Sequence, residues 1–280
     1  MGNMIVGKLI TGDDGLLAGE VGAWAKRKHS DLCRYVDISR AVRKGFVAPG
    51  HAGASFIDLF CGPGRCRLEK TGEWIDGGVV AAWKKSQERG APFTRVFIAD
   101  IDPRRRQAAA NRLRKLEAPV TEVDGAAVEA VHGVVRQLDP NGLHLAFLDP
   151  YNLKALNFDI IVALSRLKRI DMLVHISKMD LQRNAVSHAL ADDSSFDSFA
   201  PGWRAKMPVD QVQQELRRQV FLYWREKVAA LGVWPSTRMD LLTGEKNQPL
   251  YYLLLAAKHE LAQKFREKAS NVERQGRLDV

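Results

Sequence analysis

The chain predicts an α/β fold: a mostly parallel, doubly wound sheet of seven strands, helices on both faces, and a terminal antiparallel hairpin. Three observations predict it. Five short apolar runs alternate with helical patterns between Phe56 and Ile176, the rhythm that gives parallel strands and right-handed crossovers. Carboxylates stand at the carboxyl ends of four of those runs, as Asp58, Asp100, Asp124 and Asp149, where ligands of open α/β sheets bind. Two further apolar runs close the pattern beyond residue 236.

The elements follow in order. Residues 21–45 read as one or two basic amphipathic helices. Phe56 to Asp58 is a continuous apolar run ending in an acid, the mark of a strand buried on both faces. Val79 to Trp83 is helical and is ended by Gly90. Arg95 to Asp100 is the second strand. Asp102 before Pro103 is an N-cap with proline in the first helical position, and the helix it opens carries Arg104, Arg105, Arg106, Arg112, Arg114 and Lys115. Val120 and Val123 flank a short third strand, and Val128 to Leu138 fits a helix. Leu143 to Leu148 is the fourth strand. A helix from Phe158 to Leu167 presents Ile160, Ile161, Leu164 and Leu167 on one face, and Met172 to Ile176 is the fifth strand.

After residue 176 the rhythm breaks, and residues 177–208 read as a polar loop. Asp210 with Gln213 forms a capping box for a long helix through Leu231, ended by Gly232. Thr237 to Leu242 and Leu250 to Ala257 form the closing hairpin. Organisation follows: an N-terminal helical segment over 1–50, an α/β domain over 51–258 with a lid or insertion at about 177–232, and a charged, solvated helix or tail over 259–280.

Composition bounds the class. With 46% apolar and 27% charged residues, the chain is neither disordered nor fibrous. No apolar run reaches the roughly 20 residues of a bilayer span, and the N-terminus lacks a signal-peptide pattern. Three cysteines fit a reducing compartment, so the expectation is a cytoplasmic protein. Cys61 and Cys66 lack a second Cys/His pair for a metal, and we read them as small residues beside a cofactor, with the histidines as structural or surface groups. A formal charge of +9 favours polyanionic partners.

The chemistry concentrates in two motifs. Asp58-Leu59-Phe60-Cys61-Gly62-Pro63-Gly64-Arg65 is a strand end running into a turn whose glycines allow close backbone approach. It resembles the first cofactor loop of Rossmann-like class I S-adenosylmethionine (SAM) methyltransferases, with Phe60 in place of the first glycine and Gly62 and Gly64 in the other two. Asp58 then sits beneath the methionine end of the cofactor. Asp100, accepting two hydrogen bonds, suits a ribose diol. Asp124 meets the adenine amine or is a turn residue beside Gly125. Asp102 is a cap. The absence of Gly-x-Gly-x-x-Gly argues against a dinucleotide dehydrogenase.

Asp149-Pro150-Tyr151-Asn152 resembles the Asp-Pro-Pro-Tyr motif of enzymes that methylate exocyclic base amines, one proline short. There, a side-chain oxygen and a proline carbonyl hold the amine while the aromatic stacks on a flipped base. Methyl transfer from a sulfonium asks for in-line positioning more than for acid or base. A covalent thiol mechanism is disfavoured, because no cysteine follows residue 66. Lys178, Arg183, Trp203, Arg204 and Lys206 are either phosphate and stacking contacts or a solvated lid.

Over most of its length the chain resembles the three-Cys-motif partner (TcmP) family. The likeness is carried by Trp24-Ala25-Lys26-Arg27-Lys28, the glycine loop, Phe147-Leu148-Asp149-Pro150-Tyr151, Arg183-Asn184 and Tyr251-Tyr252-Leu253-Leu254. It implies a methyltransferase-like fold and a companion protein, radical-SAM-like, that bears the three cysteines. Two functions stand open: a SAM-dependent methyltransferase acting on a base amine in nucleic acid, and a non-catalytic nucleic-acid or partner-binding module.

Overall fold

The computed structural model describes residues 8–178, 181, 194–207, 212–236, 240–243 and 249–265. Its strands are Leu9–Thr11 (β1), Leu17–Val21 (β2), Ala54–Asp58 (β3), Arg65–Leu68 (β4), Trp74–Asp76 (β5), Arg95–Ile98 (β6), Val120–Glu122 (β7), Leu143–Leu148 (β8), Ile170–Ser177 (β9), Trp234–Pro235 (β10), Asp240–Thr243 (β11) and Pro249–Ala257 (β12). The helices are Trp24–Ile38 (α1), Arg40–Val47 (α2), Gly78–Glu88 (α3), Pro103–Lys115 (α4), Ala127–Gln137 (α5), Phe158–Ser165 (α6), Ser195–Phe199 (α7) and Gln213–Ala230 (α8).

The main sheet runs β10-β12-β9-β8-β3-β6-β7, with β11 also on β12. The strands β3, β6, β7, β8 and β9 pair parallel, and β12 enters antiparallel beside β9. Two short strands, β10 and β11, share the outer edge of β12, at Ala256–Ala257 and between Pro249 and Leu253 respectively. Seven sheet positions therefore hold eight strands. The central strand β3 is buried throughout, as its unbroken apolar character demands. The parallel arrangement brings the carboxyl ends of β3, β6 and β8 to one edge, and the chain reverses direction between them. That is a topological switch point.

A second sheet was not legible in the sequence. Its order is β1-β2-β4-β5, two hairpins joined by parallel pairing of β2 with β4. The N-terminal segment is thus a β-hairpin followed by helices, rather than helical throughout. The extra residues in the first crossover are the β4–β5 hairpin. Arg112 of α4, only 6% exposed, ties this sheet down. Its Nε and Nη2 donate to Asp14 at 2.8 and 2.6 Å, and its Nη1 donates to the carbonyls of Leu17 at 2.7 Å and Pro63 at 2.5 Å.

The lid expectation is also corrected. Phe196, Phe199, Trp203, Leu216, Val220 and Trp224 are buried in the largest hydrophobic cluster, together with Ile57, Leu148 and Val174 of the sheet. The described part of the insertion is a core layer. The tail begins packed as well: Ala262 is buried and Phe265 leans on the second cluster. Asp210, half of the expected capping box, lies outside the described residues. Asp102 caps α4, accepting the Arg104 amide at 3.0 Å. Among the described residues, no helix is long and apolar enough to cross a membrane.

Replacing Arg112 by Met strands the Leu17 and Pro63 carbonyls and the Asp14 carboxylate. We expect a loss of about 3 kcal/mol, the low end for a broken buried pair because Asp14 is partly exposed. A urea midpoint equal to wild type contradicts this account of the second sheet.

Candidate active site

Past the tip of β3 the backbone closes a compact turn. Asp58 accepts the Phe60 amide at 3.1 Å, the Cys61 amide donates to the Ala99 carbonyl at 3.0 Å, and the Gly62 amide donates to Asp100 Oδ2 at 3.0 Å. Gly62 holds φ +54°, and a Cβ placed on it would meet nothing within 4 Å. Gly64, at φ +79°, packs where a Cβ would come within 3.1 Å of Ala109 Cα and Val80. Both positions need glycine for backbone conformation. Gly62 faces open space, while Gly64 lets α3 and α4 close together.

A cavity of about 160 Å³ lies against this turn. Gly62, Pro63 and Gly64 form one wall, Asp58, Phe147 and Asp149 a second, and Lys28 with His29 of α1 a third. Leu9, Gly19, Glu20 and Val21 of the β1–β2 hairpin contribute the remaining side. Small-molecule sites enclose roughly 300–1,000 Å³. The enclosed part therefore suits one end of an extended ligand.

Electrostatics divide the two aspartates of the cavity. Burial pushes the Asp58 carboxyl up to about 8, and the nearby Asp149 and Asp100 charges add to the effect. Burial opposes ionisation of Asp149 too, but Lys28 and His175 overcome it and hold this carboxyl far below the usual range. Lys28 Nζ donates to Asp149 Oδ2, and His175 Nδ1 lies 3.2 Å from Oδ1. Lys28 also stands 4.5 Å from the centroid of the Trp24 ring. His175 is fully buried between Phe147, at 5.7 Å, and Tyr251, at 5.9 Å. Burial drives His29 down to about 3, so it is neutral at physiological pH. Cys61 is pushed well above its ordinary value by burial, and Cys66 to about 11. Neither thiol is a thiolate at neutral pH.

The residues singled out from sequence divide into two sets. Asp58, Phe60, Gly62, Gly64 and Asp149 line the cavity together. Tyr151 follows Asp149 and is 42% exposed. Asp100 does not face the cavity: its oxygens are turned to the amides of Gly62 and Asp102. Asp124 points to solvent and pairs with Arg106, away from the cavity. The Asn152 side chain accepts the Ala155 amide at 2.8 Å, closing a local turn. Trp203 presents no face to a base, since it is fully buried with its indole N–H on Asp197. Arg204 pairs with that same Asp197 and stacks on Trp203. Lys178 lies 5.3 Å from the Tyr252 ring. Arg183 lies outside the described residues.

Sequence reasoning missed Lys28, His29 and His175. A signal existed for His175, an imidazole interrupting the apolar run of β9. For Lys28 there was none, because a lysine on a basic helix reads as a solvated charge.

No family model and no curated protein matches the chain. Solved structures do. The cofactor-bound protein Rv0187 from MTB is 15% identical over 85% of this chain and 80% of its own, with a TM-score of 0.44. An O-methyltransferase from Bacillus cereus in complex with SAH is 11% identical over 81% and 80%, at 0.44. The DszA carbon methyltransferase is 12% identical over 84% of this chain and 54% of its own, at 0.49. With every TM-score below 0.5, the strand order assigns the fold rather than these likenesses. That order, β7-β6-β3-β8-β9-β12 with one antiparallel member, decides it. The chain has the class I methyltransferase fold.

The Asp58 pKa generates a test. Its carboxyl keeps a proton in the folded state between the ordinary 3.8 and about 8, where the unfolded chain has lost it. Stability from this group therefore falls as pH rises through that window. Asp58→Asn keeps the acceptor for Phe60 and removes the slope. Urea midpoints measured at about pH 5 and about pH 8 should converge in the variant relative to wild type, and an unchanged difference contradicts the assignment.

Proposed function

We propose that this protein is a SAM-dependent methyltransferase acting on a base amine in nucleic acid, together with a protein partner. The observation that carries the reading is the acid-flanked glycine turn at the switch point of a methyltransferase-ordered sheet. The residues there fit the cofactor. Gly62 opens onto the cavity without a Cβ, and Glu20 supplies a carboxylate for a positively charged ligand end. When bound, SAM supplies a methyl group on an electrophilic sulfonium.

The chain's own groups perform the rest. Asp58, protonated at neutral pH, donates a hydrogen bond where Asp149 accepts one. Asp149, held ionised by Lys28 and His175, is an acceptor for an amine hydrogen. Tyr151, two residues further along the chain, offers a half-exposed ring on which a base can stack. Alignment of amine and methyl is the main demand, and positioning supplies much of the barrier reduction in such reactions. The charge of +9 supports a polyanionic substrate. Resemblance to the three-Cys-motif partner family supports a radical-SAM-like companion.

One observation favours a second reading, a binding module that has lost catalysis. Both oxygens of Asp149 are already engaged, and a buried ammonium, Lys28, stands in the cavity. Methyl transfer from labelled SAM to DNA, RNA or protein, with the companion present, separates the two. If SAM binds and no polymer is labelled, the enzyme reading fails.

Two variants sharpen the test. Gly62→Val forces a β-branched residue to positive φ, at a cost of roughly 1–2 kcal/mol, and fills the turn's open face. Calorimetry should show SAM affinity reduced more than tenfold in a folded protein. Tyr151→Ala should leave SAM affinity unchanged and lower transfer to nucleic acid by roughly 5- to 150-fold, the worth of one stacked base. Equal loss of both quantities would refute the assignment of Tyr151 to the acceptor side.

A further inference from the structure

At the opposite end of the sheet lies a larger cavity, of about 300 Å³. It sits where β8 and β9 begin, beneath α2, and is closed by the segment that follows β12. Its walls are apolar: Val42 and Phe46 of α2, Leu143 and Ile170 of the sheet, and Ala262 and Phe265 beyond β12. Its volume reaches the range of small-molecule sites, which the cavity at the glycine turn does not.

Cations predominate at this cavity. Lys168, Arg169 and Lys258 all line it. Lys168 is exposed and the other two are half-buried, which places three cations around the opening. Arg169 donates to the Asn141 carbonyl at 2.9 Å and stacks over Phe46 at 5.4 Å. None of the three has a carboxylate partner among the described residues. The acid in the lining, Asp171, belongs to the inner wall and accepts the Tyr35 hydroxyl at 2.8 Å. The potential at the mouth is therefore positive, over an interior built of rings and branched side chains.

Apolar walls reward a flat hydrophobic body, and cations partly removed from water reward a single negative charge at its outer end. A neutral apolar molecule would leave those cations uncompensated. A polyanion would bring more charge than the apolar interior admits. We propose that this cavity is a binding site for an aromatic monoanion, its ring system between Phe46 and Phe265 and its carboxylate or sulfonate at Lys168 and Lys258. The site is independent of the glycine turn and of the reaction assigned to it.

The probe is 1-anilinonaphthalene-8-sulfonate, added to the full-length protein and read by fluorescence, with near-ultraviolet circular dichroism to confirm native packing. One saturable site is expected. 2-Naphthoate should displace the probe, and the neutral 2-naphthamide should need at least tenfold higher concentration. Lys168→Glu with Lys258→Glu, both accessible side chains, should weaken the probe at least tenfold. Ala262→Trp should fill the cavity and abolish the signal without changing charge. The proposal is overturned if no saturable site appears, if the amide competes as well as the acid, if the charge-reversed protein binds equally well, or if SAM displaces the probe.

Discussion

Two charges taken out of water hold the N-terminal helix against the tip of the fourth parallel strand. The Lys28 ammonium, nearly buried on α1, meets the Asp149 carboxylate just beyond β8. Burying such a pair costs several kcal/mol per ion, and only close geometry with further hydrogen bonds recovers it. His175 provides the second contact to Asp149, and the Trp24 ring receives the ammonium. The pair therefore does more than join two elements. It fixes Asp149 as an anion beside Asp58, which burial keeps protonated, so one cavity holds an acceptor and a donor from the same residue type.

From that contact the rest of the site follows. The β1–β2 hairpin that precedes α1 is anchored by Arg112, which bonds Asp14, the Leu17 carbonyl and the carbonyl of Pro63 in the glycine turn. The turn is held in its own right by Asp100, whose carboxylate joins the Gly62 and Asp102 amides. Residues far apart in sequence thereby form one enclosure, and charged side chains do most of the joining. In this fold the sheet gives the site its place, and residues between Leu9 and His29 give it walls.

How much of this the sequence showed depends on the range of the signal. Strand tips were legible because a buried parallel strand has a local signature, and Asp58 and Asp149 fall at the ends of two such runs. The N-cap of α4 and the end of α8 were legible for the same reason. The second sheet was not, since β1 and β5 have three residues each and declare themselves only by pairing. Trp203 and Arg204 misled because an aromatic beside a base suggests a polyanion contact, whereas Asp197 pairs with both and the indole completes the core. Asp124 misled by position: it stands at a strand end, yet its side chain lies in solvent and pairs with Arg106 of α4. Asp100 shows the subtler failure, a carboxylate in the expected place that is turned to the backbone.

The central claim is that a nucleoside sulfonium lies along the Gly62–Gly64 turn, with its amino-acid end beside Asp58 and Glu20. A crystal of the protein soaked with S-adenosylhomocysteine tests it most directly. The account predicts density for the nucleoside against that turn, with the amino-acid end inside the cavity. Density elsewhere on the molecule, or a cavity filled by the Phe60 ring at saturating ligand, would contradict it.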